Sequence, residues 1–213
     1  MALIFPRWTN WLPLLLVLGA PPAGIGAAVG VWYFGAPQFT DVGYSPEQPV
    51  AYSHALHAGE LGIDCRYCHN TVEQGAAAAV PPVDTCMNCH KVIKPESKRL
   101  EPIRQAYAGG DPVKWVRVHM LPDYSYFNHS VHVAAGVGCV SCHGRVDQMV
   151  EVAQQEPLSM LWCLKCHRHL EENLRPPSEV TNMDWTPEDS PDFDPVAAAA
   201  QLDPPEHCSG CHR

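Results

Sequence analysis

The sequence predicts a loop-rich domain of short helices with little sheet, built around prosthetic groups in place of a side-chain core and tethered by one N-terminal transmembrane helix. Three observations predict it. All ten cysteines fall into five Cys-x-x-Cys pairs, and each pair is followed at once by a histidine. Residues 12–34 carry no charge. Charged residues are only 17% of the 213, while 21 Pro and 15 Gly interrupt the chain and leave little room for long amphipathic patterns.

The cysteine pairs are Cys65/Cys68, Cys86/Cys89, Cys139/Cys142, Cys163/Cys166 and Cys208/Cys211, and the histidines behind them are His69, His90, His143, His167 and His212. C-x-x-C-H is the pattern of c-type haem attachment. Two thiols add to the vinyl groups on one porphyrin edge, and the next residue brings its imidazole to the iron as proximal ligand. A lone C-x-x-C also reads as half a zinc site or as a redox-active disulfide. Five copies with no cysteine left over select five covalently bound haem c groups, hence a multihaem cytochrome c fold.

The uncharged stretch "LPLLLVLGAPPAGIGAAVGVWYF" is 23 residues long, roughly 35 Å as a helix, enough for the hydrocarbon core of a bilayer. Trp8 and Trp11 at one end and Trp32 and Tyr33 at the other suit the two interfacial aromatic belts. Pro21-Pro22 predicts a kink, tolerated where neighbouring helices satisfy the freed carbonyls. A signal peptide with its apolar run at residues 12–20 is the alternative; the expectation is an uncleaved anchor. Arg7 is the only charge before the span and points the N-terminus to the cytoplasm. The expected organisation is a transmembrane anchor at 1–35 and an extracytoplasmic five-haem domain at 36–213, single-pass in the bacterial inner membrane with the haem domain on the periplasmic side, where haem c is also attached.

The domain repeats internally. "YSHALHAGELGIDCRYCH" (52–69) and "FNHSVHVAAGVGCVSCH" (127–143) share aromatic-x-His-x-x-His, a Gly-containing spacer and a haem motif, with the second copy one residue shorter between His and Cys. A further C-x-x-C-H follows each, giving two-haem units at about 52–90 and 127–167, and the fifth motif stands alone at 208–212. So few residues per haem cannot build a conventional core, and small domains need staples; porphyrins tied by thioethers and axial bonds supply it.

Two segments interrupt the repeat. Residues 91–117 carry a net charge of +4, and "PVKWVRVHMLP" within and after them reads as extended. Residues 171–206 hold ten acids, seven prolines and one base, Arg175, for a net of −9, the formal charge of the whole chain. Such a run reads as a solvated loop, as a strap over another subunit, or as a docking rim for a basic electron acceptor.

Seven histidines remain beyond the proximal five: His54, His57, His119, His129, His132, His169 and His207. A low-spin electron-transfer haem takes a sixth ligand; His lowers its potential and Met raises it. Residues three apart on a helix share a face, so His54 with His57, and His129 with His132, are read as clamps that each reach two irons: one of their own repeat and one bound elsewhere. The H-E-x-x-H pattern of zinc proteases is absent. His119, in an apolar run, is the fifth expected distal ligand, because a buried imidazole needs a partner. His169 and His207 rank behind these five, and Met120, Met149 and Met160 are alternative sixth ligands for one high-potential haem.

The aromatic-x-His-x-x-His unit ahead of C-x-x-C-H resembles the class III, cytochrome c3/c7-like multihaem modules. The stretch from Trp115 to His167, with "WVRVHMLPDYSYFNHSVH", "GVGCVSCHGRVDQM" and "LSMLWCLKCH", is similar to the pentahaem membrane-anchored subunit of alternative complex III, as are the single N-terminal span and the five motifs. That resemblance implies an electron-relay subunit, no enzyme on its own, inside a membrane quinol:acceptor oxidoreductase. It implies an iron–sulfur subunit, a quinol-binding membrane subunit and a monohaem cytochrome c as partners, alongside membrane lipid; no nucleic-acid partner is expected. Single-span tetrahaem quinol dehydrogenases are the other class with this layout. They oxidise quinol themselves, but this chain has five motifs and its first continues "CHNTV", without a nearby Met. A haem-free interaction protein is the third class, distinguished by a visible spectrum.

Overall fold

The computed structural model describes residues 5–212. The chain divides into two compact units, the first ending at Asp41 and the second starting at Val42.

In the first unit a 3-10 turn, Arg7–Trp11, leads into an α-helix at Leu12–Phe34. The helix starts with Pro13 in its first turn, where a missing N–H costs nothing, and runs on through Pro21 and Pro22. Arg7–Phe34 is long and apolar enough to cross a membrane. Its leucines, valines and aromatics are exposed on every side, as suits a helix with hydrocarbon for a solvent. Gly35 ends it, donating its N–H back to the Val31 carbonyl at 2.9 Å.

The second unit is the short-helix, little-sheet architecture that the sequence predicts. Each C-x-x-C-H sits on a helix: Cys65–Cys68, Val83–His90, Val140–His143, Met160–Arg168 and Cys208–Cys211. Local capping explains several of them. Asp64 accepts from the Arg66 N–H at 2.8 Å, and Ser159 accepts from the Trp162 N–H at 3.3 Å, each an N-cap that satisfies an orphan donor. Among the described residues the β-pairing consists of two isolated bridges, Ser125 with His212 and Val137 with Leu174. Residues 111–118 lie outside helix and strand.

Val50, Met87, Ile103, Leu174 and Val180 are the buried apolar side chains among the described residues. Val50, Met87 and Ile103 form one small cluster with Val83, Val113 and Trp115 around it. A core this small cannot offset the conformational entropy of ordering some 170 residues, so the fold depends on something other than its side chains.

The acidic segment resolves into a strap across its own chain. The Arg175 N–H donates to the Gly136 carbonyl at 2.9 Å, and the Cys139 N–H donates to the Val180 carbonyl at 2.9 Å. Thr181 donates from its hydroxyl to the Asp64 carboxylate at 2.9 Å, 117 residues away. The strap therefore crosses the second clamp's spacer and ends beside the first haem motif. Most of its carboxylates stay at the surface, while Leu174, Arg175 and Val180 turn inward.

Candidate haem-binding sites

The two clamps are built alike. In the first, Tyr52 lies flat on His57, with ring centroids 4.4 Å apart and planes at 21°, and edge-on to His54 at 4.8 Å. In the second, Phe127 lies flat on His132 at 4.6 Å and 26°, and edge-on to His129 at 4.7 Å. The second histidine of each pair is also hydrogen-bonded through Nδ1 to the carbonyl four residues back: His57 to Ser53 at 2.9 Å and His132 to Asn128 at 2.7 Å. The aromatic is thus a wedge that fixes both imidazoles, a role that its recurrence in both repeats signals and that reading the histidines alone misses.

The one-residue length difference between the copies has a local cause. The second clamp is α-helical, His129–Ala134, capped by Asn128, which accepts from the Ser130 N–H at 3.0 Å. The first is a π-helix, Ala55–Glu60. A π-turn absorbs one extra residue without changing where the flanking chain goes.

Nδ1 is committed elsewhere too. It bonds a backbone carbonyl in His69 (Ala79, 2.8 Å), His90 (Ile93, 3.0 Å), His167 (Pro205, 2.8 Å), His212 (Tyr124, 3.3 Å) and His129 (Ala76, 2.8 Å). A carbonyl on Nδ1 fixes the tautomer and leaves Nε2 as a free lone pair, the usual outer-shell arrangement of a metal-binding imidazole. The loop 75–79 serves both repeats. Ala79 holds His69, whereas Ala76 and Gly75 accept from the backbone of His129 and Ser130.

The imidazoles meet across the repeats' motifs. His57 and His90 have centroids 6.2 Å apart, His132 and His167 6.3 Å, and His129 and His143 6.4 Å. Both members of each of these pairs belong to one repeat. His54 is half-buried, its Nδ1 buried and lacking a partner, and burial, then the neighbouring His69, lowers its pKa to about 4. Burial lowers His143 to about 3. Both are therefore neutral, the form in which imidazole binds a metal.

His119 has its Nε2 buried without a partner and stands edge-on to His143, with centroids 4.5 Å apart. His169 and His207 are exposed, the first with Nδ1 3.9 Å from Glu171 and the second directly before the Cys208–Cys211 helix. Met120 and Met160 are exposed.

All ten thiols are free; here they stand in for the thioether sulfurs of attached haem. Their neighbours define a line. Cys65 and Cys139, from different repeats, are in electrostatic reach of one another. Cys68 is in electrostatic reach of Cys86, Cys142 of Cys163 and Cys166, and Cys163 of Cys211. Around the fifth motif, the Tyr126 N–H donates to the Cys211 carbonyl at 2.6 Å, and Arg168 pairs with Glu206 at 2.9 Å.

The two cysteines of the second motif differ from one another, which their shared role in the sequence pattern does not foretell. Cys89 is exposed, as Cys208 is, whereas the other eight are half-buried. Cys86 packs against the Val50–Met87–Ile103 cluster. Cys89 lies a turn further on, at the end of the Val83–His90 helix, where its carbonyl accepts from the Val92 and Ile93 N–H groups at 3.0 and 2.9 Å. The chain turns away there toward exposed Val92 and Ile93 and leaves the Cys89 thiol uncovered.

Among the described residues no three His, Cys, Asp or Glu side chains converge as a bare ion would need. Two thiols and an imidazole per motif, imidazole pairs at one centroid spacing, and orphaned buried nitrogens on His54 and His119 fit a wide prosthetic group ligated from both sides.

The fold class is multihaem cytochrome c. Residues 36–120 match the class III cytochrome C family, and residues 125–213 match cytochrome c7 and related cytochrome c; c-type haem is the covalently bound group of both. A relative from Nitratidesulfovibrio vulgaris (strain Hildenborough), the menaquinone reductase, multiheme cytochrome c subunit, is 29% identical over 168 residues, covering 77% of this chain and 72% of that protein.

Proposed function

We propose that this chain is the electron-relay subunit of a membrane quinone-linked oxidoreductase, carrying five covalent haems c on Cys65/Cys68, Cys86/Cys89, Cys139/Cys142, Cys163/Cys166 and Cys208/Cys211. The observation that carries the reading is the common 6.2–6.4 Å spacing of three imidazole pairs. Two metal–imidazole bonds of about 2.0–2.1 Å each, plus the half-width of each ring, add up to such a separation. The exposure of Cys89 is compatible with attachment, because a thioether needs only reach the porphyrin edge; it makes that edge of the second haem the solvent-facing one.

Three irons then have histidine on both sides: His90 with His57, His143 with His129, and His167 with His132; His54, an electrostatic neighbour of His69, is the candidate for the first motif's iron. His212 is the proximal ligand of the fifth. His119 stands too close to His143 to share an iron with it at that spacing; its buried, unpartnered Nε2 keeps it the candidate distal ligand of another haem. When bound, haem supplies a one-electron iron couple that needs no open coordination site. The protein holds His54 and His143 neutral by burial and fixes the ring planes of the clamp histidines through the aromatic wedges. It sets the five motifs in the order second, first, third, fourth, fifth, which follows from the thiol neighbours.

The N-terminal helix anchors this relay at the outer face of the inner membrane. The resemblance to the alternative complex III subunit supports quinol-oxidising, iron–sulfur and monohaem cytochrome partners, with electrons leaving the quinone pool. The menaquinone reductase relative supports a second reading, in which the same line of sites delivers electrons to a quinone. Purification in mild detergent and identification of the co-purifying subunits tests both. A quinol that reduces the haems only in the presence of partners supports the relay. Reduction of the isolated chain by quinol would instead make it a stand-alone quinol dehydrogenase, and a reduced spectrum without a c-type α-band would end the haem reading.

A further inference from the structure

Arg175 is the only base in the acidic segment and is 7% exposed. Its guanidinium lies over the Trp185 ring at 5.0 Å and donates from Nη1 to the Asn182 carbonyl at 2.8 Å. Nε is buried with no hydrogen-bond partner. Among the described residues no carboxylate comes within ion-pair distance, although the flanking strap is strongly acidic. A Cβ on Gly138 would sit 2.3 Å from the guanidinium carbon, so the cation is packed on the backbone immediately before Cys139. A buried, unneutralised charge costs free energy, and burial pushes this guanidinium below its ordinary pKa. The fold nevertheless holds it there by two backbone bonds of the strap, from Arg175 to Gly136 and from Cys139 to Val180.

We propose that Arg175 tunes the haem carried by Cys139 and Cys142, raising its reduction potential. The inference rests on the haem reading above. Reduction adds one negative charge to a haem, and a fixed cation in a low-dielectric setting stabilises that state over the oxidised one. The motif at Cys139 is the middle of the five in the order given by the thiol neighbours. The strap thus places its one base at the junction of the two repeats while its acids face outward.

The test is a spectroscopic redox titration of the full chain in its detergent-purified complex. In Arg175→Met, covalent haem content is expected to be unchanged, with one of the five components moving to lower potential and the other four in place. Arg175→Lys, which keeps the charge, should leave that component closer to its original position. Arg175→Met with all haems attached and no component moved overturns the proposal, and so does a shift of equal size in the Lys variant. If Arg175→Met fails to retain haem, Asn182→Asp decides. This exposed substitution adds a carboxylate on the residue whose backbone carbonyl accepts from the guanidinium and is expected to lower the same single component; titration curves identical to the unaltered protein's overturn the proposal. Absence of a c-type spectrum in the unaltered protein would sink the haem reading instead, which keeps the two failures apart.

Discussion

Phe127 lies flat against His132, ring on ring at 4.6 Å, while the same imidazole is tied through Nδ1 to the Asn128 carbonyl at 2.7 Å. One histidine is thus held in plane by a stack and in rotation by a hydrogen bond, both from residues at most five positions away. Tyr52 and Ser53 do the same for His57. The aromatic of the repeated motif is a ligand-orienting device.

Replacing Phe127 by Leu removes the stack and leaves the hydrogen bond. The expected loss of stability is about 1 kcal/mol, the worth of an aromatic pair beyond its buried area. Covalent haem should be retained, and the low-spin EPR signal of one haem should change because its axial ring plane is freed. An EPR spectrum unchanged in every component would show that the wedge does not set ligand orientation.

His132→Met and His57→Met each exchange one distal imidazole for a thioether, which raises haem potential. Each variant should move one redox component upward, and the two should move different components. His169→Ala and His207→Ala, at exposed positions, should move none. A titration in which His132→Met shifts nothing, with all haem attached, removes His132 from the ligand set.

Gly136 has φ +88, and a Cβ there would sit 2.3 Å from the Arg175 carbonyl oxygen. Gly136→Ala therefore combines a left-handed backbone with a collision against the strap. The expected destabilisation exceeds about 1 kcal/mol, with faster proteolysis within residues 171–190. A variant as stable and as protease-resistant as the parent would mean that the strap is not clamped at this point.

Asp64 caps the first motif's helix, pairs with Arg66 at 2.9 Å and accepts from Thr181. The hydrogen bonds from Arg66 lead the causes that hold its carboxyl down at about 2. A carboxyl lowered in the folded state stabilises above its ordinary value, and that contribution is lost as pH falls from about 4 toward 2. Asp64→Asn should lower stability at neutral pH and flatten the acid limb of the unfolding profile in that window. Parallel acid limbs for variant and parent would exclude the clamp as a contributor.

Much of the site is legible in the chain because haem attachment is a local chemistry. C-x-x-C-H names its own cysteines and proximal histidine, and the repeated aromatic-His-His unit names the clamps at His54/His57 and His129/His132. What depends on packing is not legible in that way. The motif makes Cys86 and Cys89 equivalent, yet the fold covers the first and exposes the second. His119 follows the reasoning of a buried imidazole needing a partner, but folding sets it edge-on to His143, too near to share an iron. The acidic run reads as a surface loop by charge, whereas Leu174 and Val180 bury themselves, and three backbone and side-chain bonds fasten it over the repeat junction.

The sequence by itself determined the cofactor type, the short-helix architecture and the apolar N-terminal helix, since each depends on residues within a few positions of one another. Only the tertiary structure decided which imidazoles lie beside each other and that Cys65 comes near Cys139 where the repeats join. Those are distances between residues tens of positions apart, set by how the loop at 75–79 and the strap at 174–181 close on the clamps. No spacing along the chain encodes them.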